Sequence, residues 1–232
     1  MLEVSPGGTK LERPTVTPWG RGTIQPLGGP LEPARVNGEE PRSKGCHVPS
    51  WAVLLQRFYT RTGLPLPGIE QLKGDDVPQP YRSLLVHSSD MTPTLEGFYQ
   101  RGLALTVLSR ETEGEEYLRE VVLKLADGGR PVEYGVIRIC LGHLSGPARE
   151  RVLQEQRPMG NILRSEGIAH LSWPQAFFRA RSDAHTGAVL RLAQPSSLYG
   201  RRNVLLDGSR RLLAEVIEIL APVLPNAEGS CR

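Results

Sequence analysis

From Leu103 onward, apolar residues recur at every second position in short runs separated by turn signals. A period of two marks a β-strand with one buried face, and a helix cannot satisfy it. The clearest run covers 116–126, where Tyr117, Val121, Leu123 and Leu125 share one face. DGGRP follows as a hairpin turn, and 132–141 is its return strand. A strand over 103–110 precedes the pair across the ETEGEE turn, and further strands are predicted near 175–181, 188–192, 202–206 and 211–220. Consecutive hairpins with few crossover helices predict an α+β fold, a single mostly antiparallel sheet with helices packed on one side of it.

The helical signals are shorter. Ser50 can cap a helix whose apolar positions are Trp51, Val53, Leu54, Leu55 and Phe58, and TGLPLPG ends it. A second helix is predicted over 92–100, with Thr92 as cap, Pro93 at the first helical position and Gly102 as the stop. Two more are expected near 147–154 and 159–165. Residues 1–47 carry Gly and Pro every few positions and bury too little apolar surface to offset ordering entropy, so they read as a flexible extension. The ordered domain is expected over 48–224, with a short flexible tail at 225–232.

Two charges fall where an apolar residue belongs. Arg119 sits in the middle of the apolar face of 116–126, with Glu120 and Lys124 on the other, solvent-facing side. In the last strand Glu215 shares a face with Leu213, Ile217 and Ile219, and Glu218 points the opposite way. A buried charge is costly unless it is neutralised. Arg119 and Glu215 either pair with each other or hold a ligand between them, the guanidinium fork matching a carboxylate and the buried glutamate exchanging a proton with a hydroxyl. Periodicity leaves both readings open.

Other chemistries find little support. The 232 residues, 39% hydrophobic and 23% charged, suit one globular domain. The net charge of +3 is too small to argue for nucleic acid. No apolar run reaches the ~18 residues of a membrane span, and the N-terminus lacks a secretory pattern. Cys46, Cys140 and Cys231 are odd in number and far apart, which fits free thiols in a reducing, cytoplasmic setting. GxSxG and Walker motifs are absent, and GRGTIQ at 20–25 lacks the third glycine of a dinucleotide fingerprint. His47, His87, His143, His170 and His185 show no metal-ligand spacing and read as surface or loop residues. Arg201, Arg202, Arg210 and Arg211 read as a solvated hairpin. No metal, cofactor or covalent intermediate is expected.

HSSDMTPTLEGFYQ, YLREVVLKLADGGRPV, RPMGNIL and YGRRNVLLDGSRRLLAEVIEILAP occur in one order from about Val86 to Pro222. Together they resemble the motifs of chorismate pyruvate-lyase, closer to its divergent mycobacterial, archaeal and cyanobacterial branch. The resemblance implies an antiparallel sheet whose ligand is buried under helical flaps, and conversion of chorismate to 4-hydroxybenzoate and pyruvate without a cofactor. It matches the family's carboxylate-binding arginine to Arg119 and its hydroxyl-binding glutamate to Glu215. It matches the two carboxylate-binding main-chain amides to Met91 and Met159. Val136 replaces a family arginine, and 171–197 aligns poorly. On this basis Arg119, Met91 and Met159 fix the ring carboxylate, Glu215 holds the ring hydroxyl, and Arg201 or Arg202 balances the enolpyruvyl carboxylate. Positioning in a water-free site would supply much of the rate. The alternatives are a non-catalytic aromatic-acid sensor of the same fold, as in some bacterial regulators, and a lyase acting on a chorismate relative. Regulators usually carry a winged helix-turn-helix ahead of this domain, where this chain has a Gly/Pro-rich stretch.

Overall fold

The structure, a computed structural model, describes residues 52–223. The expected flexible segments at 1–47 and 225–232, and Ser50 as a helix cap, lie outside those residues. Seven strands form one sheet: β1 (Ile69–Leu72), β2 (Leu103–Glu113), β3 (Glu116–Leu125), β4 (Pro131–Cys140), β5 (His170–Arg181), β6 (Ser197–Asp207) and β7 (Leu212–Leu220). Their order is β1-β5-β6-β7-β4-β3-β2, and every pair is antiparallel. The predicted α+β architecture with one antiparallel sheet is therefore observed. The helices are α1 (Val53–Thr62), α2 (Tyr81–Leu85), α3 (Met91–Tyr99), α4 (Gly146–Leu153), α5 (Met159–Ser165) and α6 (Ala184–Val189). No described helix is long and apolar enough to cross a membrane.

Helices cover both faces of the sheet, not the one face expected. On one face α1 seats Leu54, Leu55 and Phe58 against Leu118, Tyr134, Val136, Ile217 and Ile219, with Val189 of α6 beside them. Burying each such side chain contributes about 1.5–3 kcal/mol. On the other face α4 and α5 pack Val152, Ile162 and Leu163 on Tyr117, Ile137 and Ile139. There α2 and α3 pack Leu85 and Leu95 on Leu123, Leu125 and Leu220. This second face thus carries two apolar clusters with a space between them.

Several predicted elements differ. The strand expected over 188–192 is helix α6. Asp183 caps it by accepting from the Thr186 amide at 2.8 Å, while the Thr186 hydroxyl accepts from the Asp183 amide at 3.0 Å. That reciprocal capping box outweighs a five-residue alternation. Helix α3 begins at Met91 with Asp90 at the cap position, two residues earlier than Thr92 would place it. β5 starts at His170, and a register shift between Pro174 and Ala176 hides its first half from a period-two search. The short edge strand β1 and helix α2 were not anticipated. Glu120 is not solvent-facing but buried under α6. It accepts from Tyr134 Oη at 2.8 Å and Ser109 Oγ at 2.8 Å, and faces His185 Nε2 at 2.5 Å.

Candidate functional site

The space between the two apolar clusters is a cavity of about 60 Å³. Its floor follows from the strand register. Arg119 on β3 pairs with Ile137 on β4, Ile137 with Val216 on β7, and Val216 with Asn203 on β6. All four side chains point to one face. Two residues along each strand, the next row is Val121, Gly135, Glu218 and Arg201. Two further on, Leu123 pairs with Glu133, which pairs with Leu220. The roof is the start of α3, with Met91 and Thr92, and the start of α5, with Pro158, Met159 and Gly160. Gly160 allows the close approach: a Cβ there would stand 2.9 Å from Asp90 Oδ2.

Four buried polar atoms in this cavity have no partner among the described residues: Arg119 Nε and Nη1, Glu133 Oε2 and Asn203 Oδ1. Arg119 is 1% exposed, and only its Nη2 donates, to the Arg157 carbonyl at 3.2 Å. Burial lowers its pKa. The Glu155 carboxylate acts on it, but Arg110 at 2.7 Å and the Tyr117 hydroxyl already occupy that carboxylate. The Tyr117 phenol is pushed up to about 12, by burial first and by Glu155 second. Glu133 is driven well above the usual carboxylate range by burial, and the adjacent Glu218 charge adds to the effect. Burial thus favours its protonated form, while Arg119 has no bonded counter-ion.

The remaining charges of this face are matched. Arg201 is fully buried and donates from Nε to Glu218 Oε2 at 2.5 Å. Its Nη1 donates to the Leu85 and His87 carbonyls at 3.2 and 3.1 Å, and its Nη2 to the Ser89 carbonyl at 3.1 Å. Arg201 thereby pins the chain that leads into α3 against the sheet. Asp90 lines the cavity and faces His170 Nε2 at 3.0 Å. That hydrogen bond raises the His170 pKa. Burial would raise the Asp90 carboxyl, but the His170 contact outweighs it and holds the group low.

The structure separates residues that the sequence reading joined. Glu215 lies on the opposite face of the sheet from Arg119, because Arg119 shares a row with Val216. There Glu215 accepts from Arg202 Nε at 2.7 Å and Arg138 Nη2 at 2.8 Å. Burial pulls its carboxyl up, and these two guanidinium groups more than reverse the shift. So Glu215 neither pairs with Arg119 nor lines the cavity; the strand's cavity-facing glutamate is Glu218, expected to point away. Arg202 is on the Glu215 side, and Arg201 is saturated, so neither stands free for a second carboxylate. Arg201 is also not part of a solvated hairpin, unlike the exposed Arg210. Met91 and Met159 do line the cavity. Each opens a helix, so their amides are among the N–H groups that no helical carbonyl satisfies. Glu133, Asn203 and the Asp90–His170 pair were not anticipated. Glu133 was findable, since it alternates with Gly135, Ile137 and Ile139 on one face of β4.

No protein-family model matches the sequence, and no curated protein is similar to it. Solved structures are similar in part. PhnF from Mycobacterium smegmatis matches with a TM-score of 0.45 and 11% identity, covering 76% of this chain and 100% of that one. The effector domain of PhnF from the same organism matches at 0.43 and 15%, covering 56% and 87%. A GntR-family transcriptional regulator from Bacillus cereus matches at 0.38 and 11%, covering 56% and 99%. Likenesses this loose fix neither a shared fold nor a shared ligand.

Proposed function

We propose that this chain binds one small planar monocarboxylic acid, an aromatic acid in the first instance, in the cavity between the sheet and helices α3 and α5. The observation that carries the reading is Arg119: a buried guanidinium with two unpartnered nitrogens at the edge of a mostly apolar cavity. A desolvated cation without a counter-ion is costly, and a carboxylate is the group whose geometry matches its fork. The Met91 and Met159 amides are secondary contacts to the same carboxylate, as the family resemblance implies. The resting space, about 60 Å³, is smaller than the ~150 Å³ apolar cavity that admits a benzene ring, so α3 and α5 shift away from the sheet when the acid binds.

Chorismate lyase chemistry is the second reading, favoured by the ordered motifs and by the coincidence of their arginine with Arg119. It meets a charge problem. Among the described residues that line the cavity, Arg119 is the only cationic side chain. Chorismate brings two carboxylates, and the second would be buried beside Glu218 and Asp90. Binding without turnover therefore fits the electrostatics better than catalysis. Two experiments on the purified full chain separate the readings. Calorimetric titration with benzoate is expected to show saturable one-to-one binding that Arg119→Met abolishes; no binding, or equal binding by the variant, would refute the carboxylate site. Incubation with chorismate, followed by chromatography for 4-hydroxybenzoate, is expected to give no product above the uncatalysed rate. Steady, Arg119-dependent product would establish the lyase instead.

A further inference from the structure

The three unpartnered positions of the cavity are not in line. With strands ~4.8 Å apart and ~3.3 Å per residue, Arg119 and Asn203 are three strands apart in one row, so their α-carbons lie roughly 14 Å apart. Glu133 is one strand and four residues from Arg119, again roughly 14 Å, and roughly 16 Å from Asn203. Seen from the centroid of these three α-carbons, the three directions diverge by about 115–130°. That is the angular pattern of positions 1, 3 and 5 of a six-membered ring. The direction opposite Arg119 runs instead over Glu218 and Arg201, which are bonded to each other through Arg201 Nε and Glu218 Oε2.

The polarity of two corners can be assigned. Ser172 spends its one hydroxyl proton on the Ser89 carbonyl at 3.3 Å. The amide of Asn203 must then present Nδ2 to Ser172 Oγ, at 2.9 Å, which leaves Oδ1, in a residue that lines the cavity, as an acceptor without a partner. A ligand group at this corner has to donate. Glu133 offers a buried carboxyl whose Oε2 has no partner, and in the protonated form that burial favours a carboxyl both donates and accepts. A hydroxyl suits either corner.

We propose that Glu133 and Asn203 select a ring acid bearing hydrogen-bonding substituents, hydroxyls in the first instance, at both positions meta to its carboxylate. This rests on the reading of Arg119 as the carboxylate anchor. A site built to hydrogen-bond a substituent rejects the analogue that lacks it, because its own buried groups are left unpaired.

The test is a set of titrations of the full chain with 3,5-dihydroxybenzoate, 4-hydroxybenzoate and benzoate, repeated on Asn203→Leu and Glu133→Leu. The readout is the ratio of the benzoate Kd to the 3,5-dihydroxybenzoate Kd, which is insensitive to the fraction of active protein. The native ratio is expected at about 100, with 4-hydroxybenzoate close to benzoate, and each substitution should lower the ratio about tenfold. A native ratio near one, a preference for 4-hydroxybenzoate, or ratios that neither substitution changes would overturn the proposal. If benzoate binds in an Arg119-dependent manner and the ratio is still near one, only the meta selection fails. If none of the three acids binds, the carboxylate reading fails and the selection goes with it.

Discussion

Replacing Arg119 with methionine should make the ligand-free protein more stable. In the native chain this guanidinium is 1% exposed, bonded only to the Arg157 carbonyl, with Nε and Nη1 unpartnered. Loss of the single hydrogen bond costs about 1 kcal/mol. Removal of the uncompensated buried charge, with retention of an apolar stem of similar length among Ile137, Val121 and Met159, returns more. Exchanging buried ionic groups for packed apolar ones gains about 1–4 kcal/mol. A net gain of about 2 kcal/mol corresponds to a rise in Tm of about 4–8 °C for a domain of this size. Differential scanning calorimetry of both proteins, with and without millimolar benzoate, reads the effect. The expected pattern is a higher Tm for the variant and a ligand-induced rise for the native chain only. A variant that melts lower without ligand would show that Arg119 serves the fold rather than a ligand, and the reasoning would fail.

Glu215→Gln should leave benzoate affinity unchanged and lower stability by about 1–2 kcal/mol, since it strands Arg138 and Arg202 on the opposite face, both partly solvated; urea unfolding alongside titration checks both halves. Gly160→Ala should weaken benzoate binding severalfold, because the new methyl would stand 2.9 Å from Asp90 Oδ2, an atom held in place by His170; the same titration reads it. Stability should also fall as pH rises through the raised pKa values of two histidines. The His185 pKa is raised by its bond to Glu120 and the His170 pKa by its bond to Asp90, so both contributions are complete below about 6.5 and are lost as pH passes the raised values. His185→Gln should flatten that decline in pH-dependent urea melts, and an unchanged slope would remove the assignment.

Within a single strand, alternation located Arg119 on a buried face, and the cavity bears that out. The same argument placed Glu215 on a buried face and was again right, yet the two residues are on different sides. A sheet covered by helices on both faces has two buried faces, and alternation along one strand carries no label for which is which. Only the register, Arg119 to Ile137 to Val216, supplies it. Glu133 and Glu120 were hidden for a related reason. β3 and β4 are buried on both sides along most of their length, so a charged residue there marks no wet face. Hairpin turns were legible because DGGRP and ETEGEE carry their own local chemistry. Helix α6 was misread because a capping box and a short alternation compete over the same few residues, and tertiary packing on α1's side of the sheet decides between them.

The most direct measurement of the central claim is a crystal structure of the chain with benzoate bound. The carboxylate is expected within hydrogen-bond distance of the Arg119 guanidinium, with the ring over Ile137 and Val216 beneath Met91 and Met159. Benzoate found elsewhere, or a cavity holding only water at saturating ligand, would contradict the account.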